Sequence, residues 1–240
     1  MKPFLSIIIP CYNESQFLPL TLLDVDKYLS TVNFSYEIIV VDAQSIDNTI
    51  DIVKKMQKMI KNLNLELSPW PEKKGGAVKY GMLKAKGQWR LFIDAKNIVF
   101  IDQFENMIPY FKQGYDIIVG SRFAQKFNFL QFYKFLFVKI INLLIKLFLA
   151  LNINDGLCQF KCFSEQAAQT LFTINKINNS MFNIEIIALA KSLGYKMKEV
   201  PIQFSNTNHK YYKFKFKNLL INFLSVIKIK YWLMTKKYAA

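Results

Sequence analysis

The chain has 240 residues, 52% hydrophobic and 20% charged, a balance too apolar for a disordered protein and long enough for one sizeable α/β core. Its formal net charge of +15 comes almost wholly from lysine, since Arg90 and Arg122 are the only arginines. That excess attracts phospholipid head groups, diphosphates or nucleic acid without choosing among them, and a coding bias toward Lys, Asn, Ile and Phe would produce it too.

In chain order, the first signal is the apolar run Phe4 to Ile9. Pro10 ends it before a signal-peptide core could form, so it reads as strand one, Leu5 to Pro10. Leu18, Leu22, Val25 and Leu29 recur at helical spacing and predict a helix from about Phe17 to Leu29. A second strand, Tyr36 to Asp42, leads into a helix near Asn48 to Met59, giving a βαβ unit. Leu65 to Ser68 reads as a short third strand, Gly76 to Lys86 as a helix, Trp89 to Asp94 as a fourth strand and Asp116 to Gly120 as a fifth. Strands one and two are β-branched runs that stop abruptly in polar residues. This is the pattern of buried parallel strands that deliver side chains to a carboxyl edge, where open α/β sheets bind ligands.

Two later segments differ in character. Residues 129–151 are predicted to form an amphipathic interface helix of about 22 residues, roughly 33 Å long. Gln131, Lys134, Lys139, Asn142 and Lys146 share one arc of it, and the opposite arc is leucine-, isoleucine- and aromatic-rich. Three spaced lysines make spanning a bilayer expensive, so the helix is expected to lie in the head-group plane, although a globular helix packs with the same periodicity. Residues 211–237 interleave aromatics with lysines and are expected to form a C-terminal membrane-associating segment. Nucleic acid is not expected as a partner, because the apolar stretches are longer than a single-strand groove needs. Cys11, Cys158 and Cys162 show neither a disulfide framework nor a zinc spacing and fit a reducing compartment.

The ordered set SIIIPCYNE, EIIVVDAQSIDNT, KKGGAVKYGMLKAKG, RLFIDAK, DIIVGSRF, INDGLCQFKCF and FNIEIIALAKSLGYKMKEVPIQF resembles family 2 glycosyltransferases. Within that family it is most similar to members that load sugar onto a polyprenyl phosphate, the dolichyl-phosphate glucosyltransferases ahead of the mannose synthases. The resemblance implies a single GT-A domain over 1–240, a Rossmann-like three-layer α/β/α fold with a mostly parallel central sheet. It also implies transfer of a hexose, glucose before mannose, from a nucleotide diphosphate sugar such as UDP-glucose to dolichyl phosphate, with inversion. The site would face the cytosol from a membrane surface, that of the endoplasmic reticulum in a eukaryote. The glucosyltransferases usually carry an N-terminal membrane anchor, a point at which this sequence, opening on strand one, departs from them. The rival reading is a catalytically degenerate relative that serves as a membrane-bound partner or lipid-binding subunit.

By the same resemblance, Pro10, Tyr12 and Glu14 line the base and ribose pocket, Asp42 receives a hydrogen bond from the base, and Lys74 stands near the donor. Asp94 opens the family's DxD position, where carboxylates hold Mg²⁺ or Mn²⁺ against the diphosphate. Arg122, Asp155 and Lys161 are the candidates for the acceptor end, and the guanidinium of Arg122 is suited to gripping a phosphate. A phosphate acceptor is already ionised at neutral pH and needs little general-base help, so the lone His209 is not required. Glu185 falls on a predicted helix, with Asn183 where the family has a further acid.

Three motif centres depart from the family. VDDGS is here Val41-Asp42-Ala43-Gln44-Ser45, and DTQCGFK is Asp155-Gly156-Leu157-Cys158-Gln159-Phe160-Lys161. DxD is Asp94-Ala95-Lys96, a lysine in place of the second carboxylate. An ammonium about 4 Å from a dication costs roughly 8 kcal/mol at an effective dielectric near 20. Asp94 therefore either holds Mg²⁺ with water and phosphate alone, or shares the site with a lysine that stabilises the diphosphate itself, or has lost the donor.

Overall fold

The computed structural model describes residues 2–121, 143, 145–151, 153–204 and 216–238, with side chains from 222 onward in the last stretch. Arg122, His209 and most of the predicted helix 129–151 lie outside the described residues.

Strand β1 (Leu5–Cys11) is buried along its whole length, because it pairs on both sides and is covered on both faces. It runs parallel to β2 (Tyr36–Asp42) and to β4 (Trp89–Phe92), and β2 in turn pairs in parallel with β3 (Leu63–Leu67). Beyond β4 lie the antiparallel β6 (Lys161–Ser164), then β5 (Ile117–Ser121), then β7 (Met197–Pro201) parallel to β5. The seven strands form one sheet in the order β3-β2-β1-β4-β6-β5-β7.

Alternation along each strand divides the apolar residues between two cores. On one face, Leu5, Ile7 and Ile9 meet Leu18, Leu22, Val25 and Leu29 of α1 (Leu18–Leu29), Val53 of α2 (Thr49–Met56), and Phe104 of a 3₁₀ turn (Ile101–Asn106) that leads into the short α4 (Ile108–Phe111). On the other, Ile8, Val41 and Phe92 meet Ala77, Val78 and Met82 of α3 (Lys74–Lys84) together with α5 (Glu165–Ile174) and α6 (Phe182–Ser192). Helix α7 (Phe216–Met234) packs on α6 and adds Val226 and Ile229 to this second core. These three layers are the α/β/α arrangement expected from the sequence.

Local boundaries differ where packing overrides local pattern. The third strand begins at Leu63, two residues before the expected start, because as an edge strand it is only partly covered and its apolar pattern is weak. Helix α3 begins at Lys74 rather than Gly76. Gly75 and Gly76 are inside the helix because nothing larger fits: a Cβ on Gly75 would lie 2.7 Å from the carbonyl oxygen of Asn178, and one on Gly76 would lie 2.9 Å from Cβ of Trp70. The fourth strand ends at Phe92, and Ile93 N–H still bonds Ile8 C=O (3.0 Å) before the chain turns at Asp94.

The contact at Gly75 fixes where Lys74 enters the rim of the sheet. Gly75→Ala pushes a methyl group into the backbone of Asn178 and Asn179, and overpacking of this kind costs about 1–3 kcal/mol. The expected outcome is a lower urea midpoint with an unchanged slope.

Candidate active site

The register of β1 brings two predicted residues to one edge. Cys11 is opposite Asp42, and Ile8 is opposite Phe92, so Asp42 and Asp94 flank the carboxyl end of β1 two strand spacings apart, about 10 Å. Pro10 is the penultimate residue of β1 and is buried there, and Tyr12 and Glu14 continue from the strand's end.

Three loops are laced together here. Asn13, with φ of 54°, accepts from Ile46 N–H (2.9 Å) through its side chain, and its own N–H donates to Ser45 Oγ (2.8 Å). Glu14 N–H donates to Thr49 Oγ1 (3.0 Å) and Ser15 N–H to Asp47 (3.2 Å). Asp42 is fully buried; Oδ1 accepts from Ser45 N–H (2.7 Å) and Oδ2 from Ser45 Oγ–H (2.6 Å). Its carboxylate thus organises the 42–45 turn, and in this geometry the hydrogen bond expected from a nucleobase has no oxygen left to itself. Tyr12 donates to Glu72 (2.8 Å), tying β1 to the loop ahead of α3, and Glu72 N–H donates to Ala43 C=O (3.0 Å).

At the centre, the ammonium of Lys74 sits 2.5 Å from Oδ2 of Asp94 and also donates to Gln159. The backbone N–H of Lys96 donates to Oδ1 of the same carboxylate (2.9 Å), and the ammonium of Lys96 pairs with Glu14 at 3.3 Å. Burial pushes Asp94 upward, but the ammonium of Lys74, its hydrogen bond, the Lys96 N–H and the Lys96 charge together outweigh it and hold the carboxyl below the ordinary aspartate range. Glu14 goes the other way: burial raises it, and Lys96 reverses only part of the rise.

The acceptor-end candidates are less alike. Asp155 is fully buried in the loop before β6, its N–H donating to Glu199 (2.8 Å). Lys161 is also fully buried; its ammonium donates to Cys158 C=O and to Asn183 (2.7 Å) and lies 5.5 Å from the Phe92 ring centre. Lys161 thus braces the interior of the β6 loop, whereas the sequence reading had placed it against the acceptor phosphate. Glu185 is likewise internal, accepting from Lys176 N–H (2.9 Å), Ile177 N–H (2.8 Å) and Tyr238 O–H (2.7 Å). Sequence reasoning missed Glu72, Ser45 and Gln159 as site residues; Ser45 and Gln159 lie within motifs, the first as a retained position and the second as a departure, whereas Glu72 carried no signal.

The family model described as Glycosyl transferase family 2 matches residues 6–172. The chain belongs to that family. It is 31% identical to a Drosophila melanogaster dolichyl-phosphate beta-glucosyltransferase over 218 residues, 84% of this chain and 67% of the relative. A protein of the same name from Dictyostelium discoideum is 30% identical, with coverage of 84% and 66%. The chain thus spans about two thirds of the length of these curated relatives. Mycobacterium tuberculosis glucosyl-3-phosphoglycerate synthase, solved with Mg²⁺ and UDP, superposes with a TM-score of 0.68 at 14% identity, over 96% of this chain and 79% of that one. S. aureus TarS with UDP-GlcNAc gives 0.56 at 16%, over 83% and 56%. These likenesses establish the GT-A fold.

The structurally similar glucosyl-3-phosphoglycerate synthase holds UDP with Mg²⁺ or Mn²⁺, but the residues here do not suit such an ion. Among the described residues no three Cys, His, Asp or Glu side chains converge on a common point. One carboxylate can suffice for Mg²⁺, so occupancy and charge decide the matter rather than ligand count. Both oxygens of Asp94 are engaged, one by an ammonium that a dication would have to expel, and Lys96 stands where the second carboxylate would be.

Asp47 gives the loop after β2 a pH signature. Burial pushes it up, but hydrogen bonds from Thr49 and Ser15 more than offset this and bring it down to about 2. A depressed carboxylate stabilises the folded loop above the ordinary aspartate pKa near 4, and that contribution disappears as pH falls through about 2. Amide protection factors in residues 43–49, taken relative to intrinsic exchange at each pH, are expected to fall across that interval in the native chain and to lose this pH dependence in Asp47→Asn.

Proposed function

We propose that the chain transfers glucose from UDP-glucose to a polyprenyl phosphate of the dolichyl type at a membrane surface, with inversion at the anomeric carbon. The observation that carries this reading is the convergence of Glu14, Lys74, Asp94 and Lys96 at one sheet edge, in a chain about 30% identical to dolichyl-phosphate beta-glucosyltransferases over 84% of its length.

In the reaction, an oxygen of the acceptor phosphate attacks the anomeric carbon from the face opposite the diphosphate. The bond from that carbon to the diphosphate oxygen breaks, and its electron pair stays on the departing UDP. The acceptor phosphate loses one negative charge and UDP gains one, so no proton need move. Catalysis then rests on positioning and on cations placed where charge develops on the leaving group. Pro10, Tyr12 and Glu14 hold the nucleoside side, Asp42 shapes its loop, and Asp94 orients Lys74 toward the diphosphate. Arg122, in the sequence just after β5, is assigned to the acceptor end, and the buried Asp155 to holding the loop before β6.

Membrane contact fits the surface of α7. Phe223, Ile227, Tyr231 and Met234 recur at helical spacing and are between 40% and 75% exposed, with Lys228 and Lys230 beside them. Among the described residues no helix is long and apolar enough to cross a membrane, so this face would lie against the lipid rather than span it. The site would face the cytosol, on the endoplasmic reticulum if the cell is eukaryotic.

The test is transfer of radiolabelled glucose from UDP-glucose to dolichyl phosphate in liposomes. Wild type is expected to form a chloroform-soluble, acid-labile product. Asp94→Asn should reduce the rate at least about a hundredfold, in line with loss of a preorganised electrostatic contact. Ile227→Glu with Tyr231→Glu should leave UDP binding intact but lower both vesicle binding and transfer. A folded wild type that yields no glycolipid would favour the non-catalytic alternative.

A further inference from the structure

Two of the chain's motif departures meet at a single carboxylate. Lys96 replaces the second acid of DxD, and Gln159 stands where the glucosyltransferase motif has glycine. In the fold both side chains serve the Asp94 cluster: the Lys96 ammonium pairs with Glu14 and is one of the charges that hold the Asp94 carboxyl down, while Gln159 accepts from the ammonium that holds Oδ2. Substitutions 63 positions apart in sequence, at 96 and 159, therefore serve one cluster.

Charge and exposure in that cluster favour an anion. Replacing a carboxylate with an ammonium raises the formal charge by two units, one negative removed and one positive added, which is the charge a divalent cation would bring. The side chains of Lys74 and Lys96 are 31% and 40% exposed, whereas those of Asp94 and Glu14 are 11% and 17%. The cations face outward and the anions lie beneath them, so an incoming diphosphate meets ammonium groups first and a metal ion meets repulsion. Each ammonium has three N–H donors. Among the described residues Lys74 spends two, on Asp94 and Gln159, and Lys96 spends one on Glu14, so donors remain for phosphate oxygens. The ring of Phe17, whose centre is 5.4 Å from the Lys96 ammonium, supports that side chain from one side.

We propose that this chain binds its diphosphate donor without a divalent cation, the ammonium groups of Lys96 and Lys74 replacing the metal against the phosphate oxygens, with Asp94 and Gln159 positioning Lys74. The inference rests on the transferase reading above and specifies how its donor is held. It also assigns Lys96 a use as a ligand rather than treating it as a lesion. As the glycosidic bond breaks, the charge gained by UDP falls on fixed ammonium groups, and nothing has to be recruited from solution.

The experiment is calorimetric titration of the full chain in detergent micelles with UDP, in EDTA and then in Mg²⁺ or Mn²⁺. Wild type is expected to bind UDP equally well in all three conditions. Lys96→Gln should weaken binding roughly tenfold or more in every condition, the size of one lost charge-assisted hydrogen bond. Lys96→Asp should bind only when metal is supplied. Wild-type binding that collapses in EDTA and returns with Mg²⁺ or Mn²⁺ would overturn the inference and leave the transferase reading standing. A folded wild type that binds no UDP under any condition would sink both. Lys96→Gln binding as tightly as wild type would remove Lys96 from the site. Should that variant not fold, the wild-type comparison of EDTA with metal decides the matter alone.

Discussion

The site depends on the parallel pairing of β1 with its two neighbours. Because β2 and β4 run in the same direction beside a strand with no exposed residue, three chain segments leave the sheet at one edge, and each leaves in polar residues. Burial fixes this register: slipping one strand by a single residue would turn Ile7 and Ile9 away from the core on the α1 face and Ile8 away from the α3 face. No contact between Glu14, Asp42 and Asp94 is needed to bring them together, because the sheet has already done so.

On that frame the side chains divide the work. Asp42 and Asp47 are consumed in holding the loops after β1 and β2, while Asp94 and Glu14 are consumed in holding lysines. Acids on the loops thus act mainly on protein groups, and bases face outward. The same helix that presents Lys74 leans through Gly75 on the loop around Asn178. That loop is held in turn by Glu185, which accepts the hydroxyl of Tyr238 just beyond α7. A short run of contacts therefore links the end of α7 to the first turn of the helix carrying Lys74.

Much of this was legible in the sequence, and the exceptions have physical reasons. The β1–α1–β2 unit could be read because buried parallel strands require uninterrupted β-branched runs. Strand β6 could not, since it opens on a lysine that is buried only in the fold, and β7 is a five-residue edge strand in which Val200 alone is buried. Asp94, Lys74, Lys96 and Glu14 were found as motif positions, but their pairing was not. Lys74 reaches a partner 20 residues away and another 85 residues away, and those separations close only through the strand order. Lys161 was misplaced at the acceptor end because sequence does not distinguish a surface lysine from one buried against a carbonyl and an amide.

The central claim is that one sheet edge binds a nucleoside diphosphate, and hydrogen exchange with and without UDP tests it most directly. The account predicts slower exchange in four separate segments, 12–15, 43–47, 68–75 and 94–97, with α1 and α5 unchanged. Slowing confined to the lysine-rich C-terminal helix, or no slowing in these segments at saturating UDP, would contradict it.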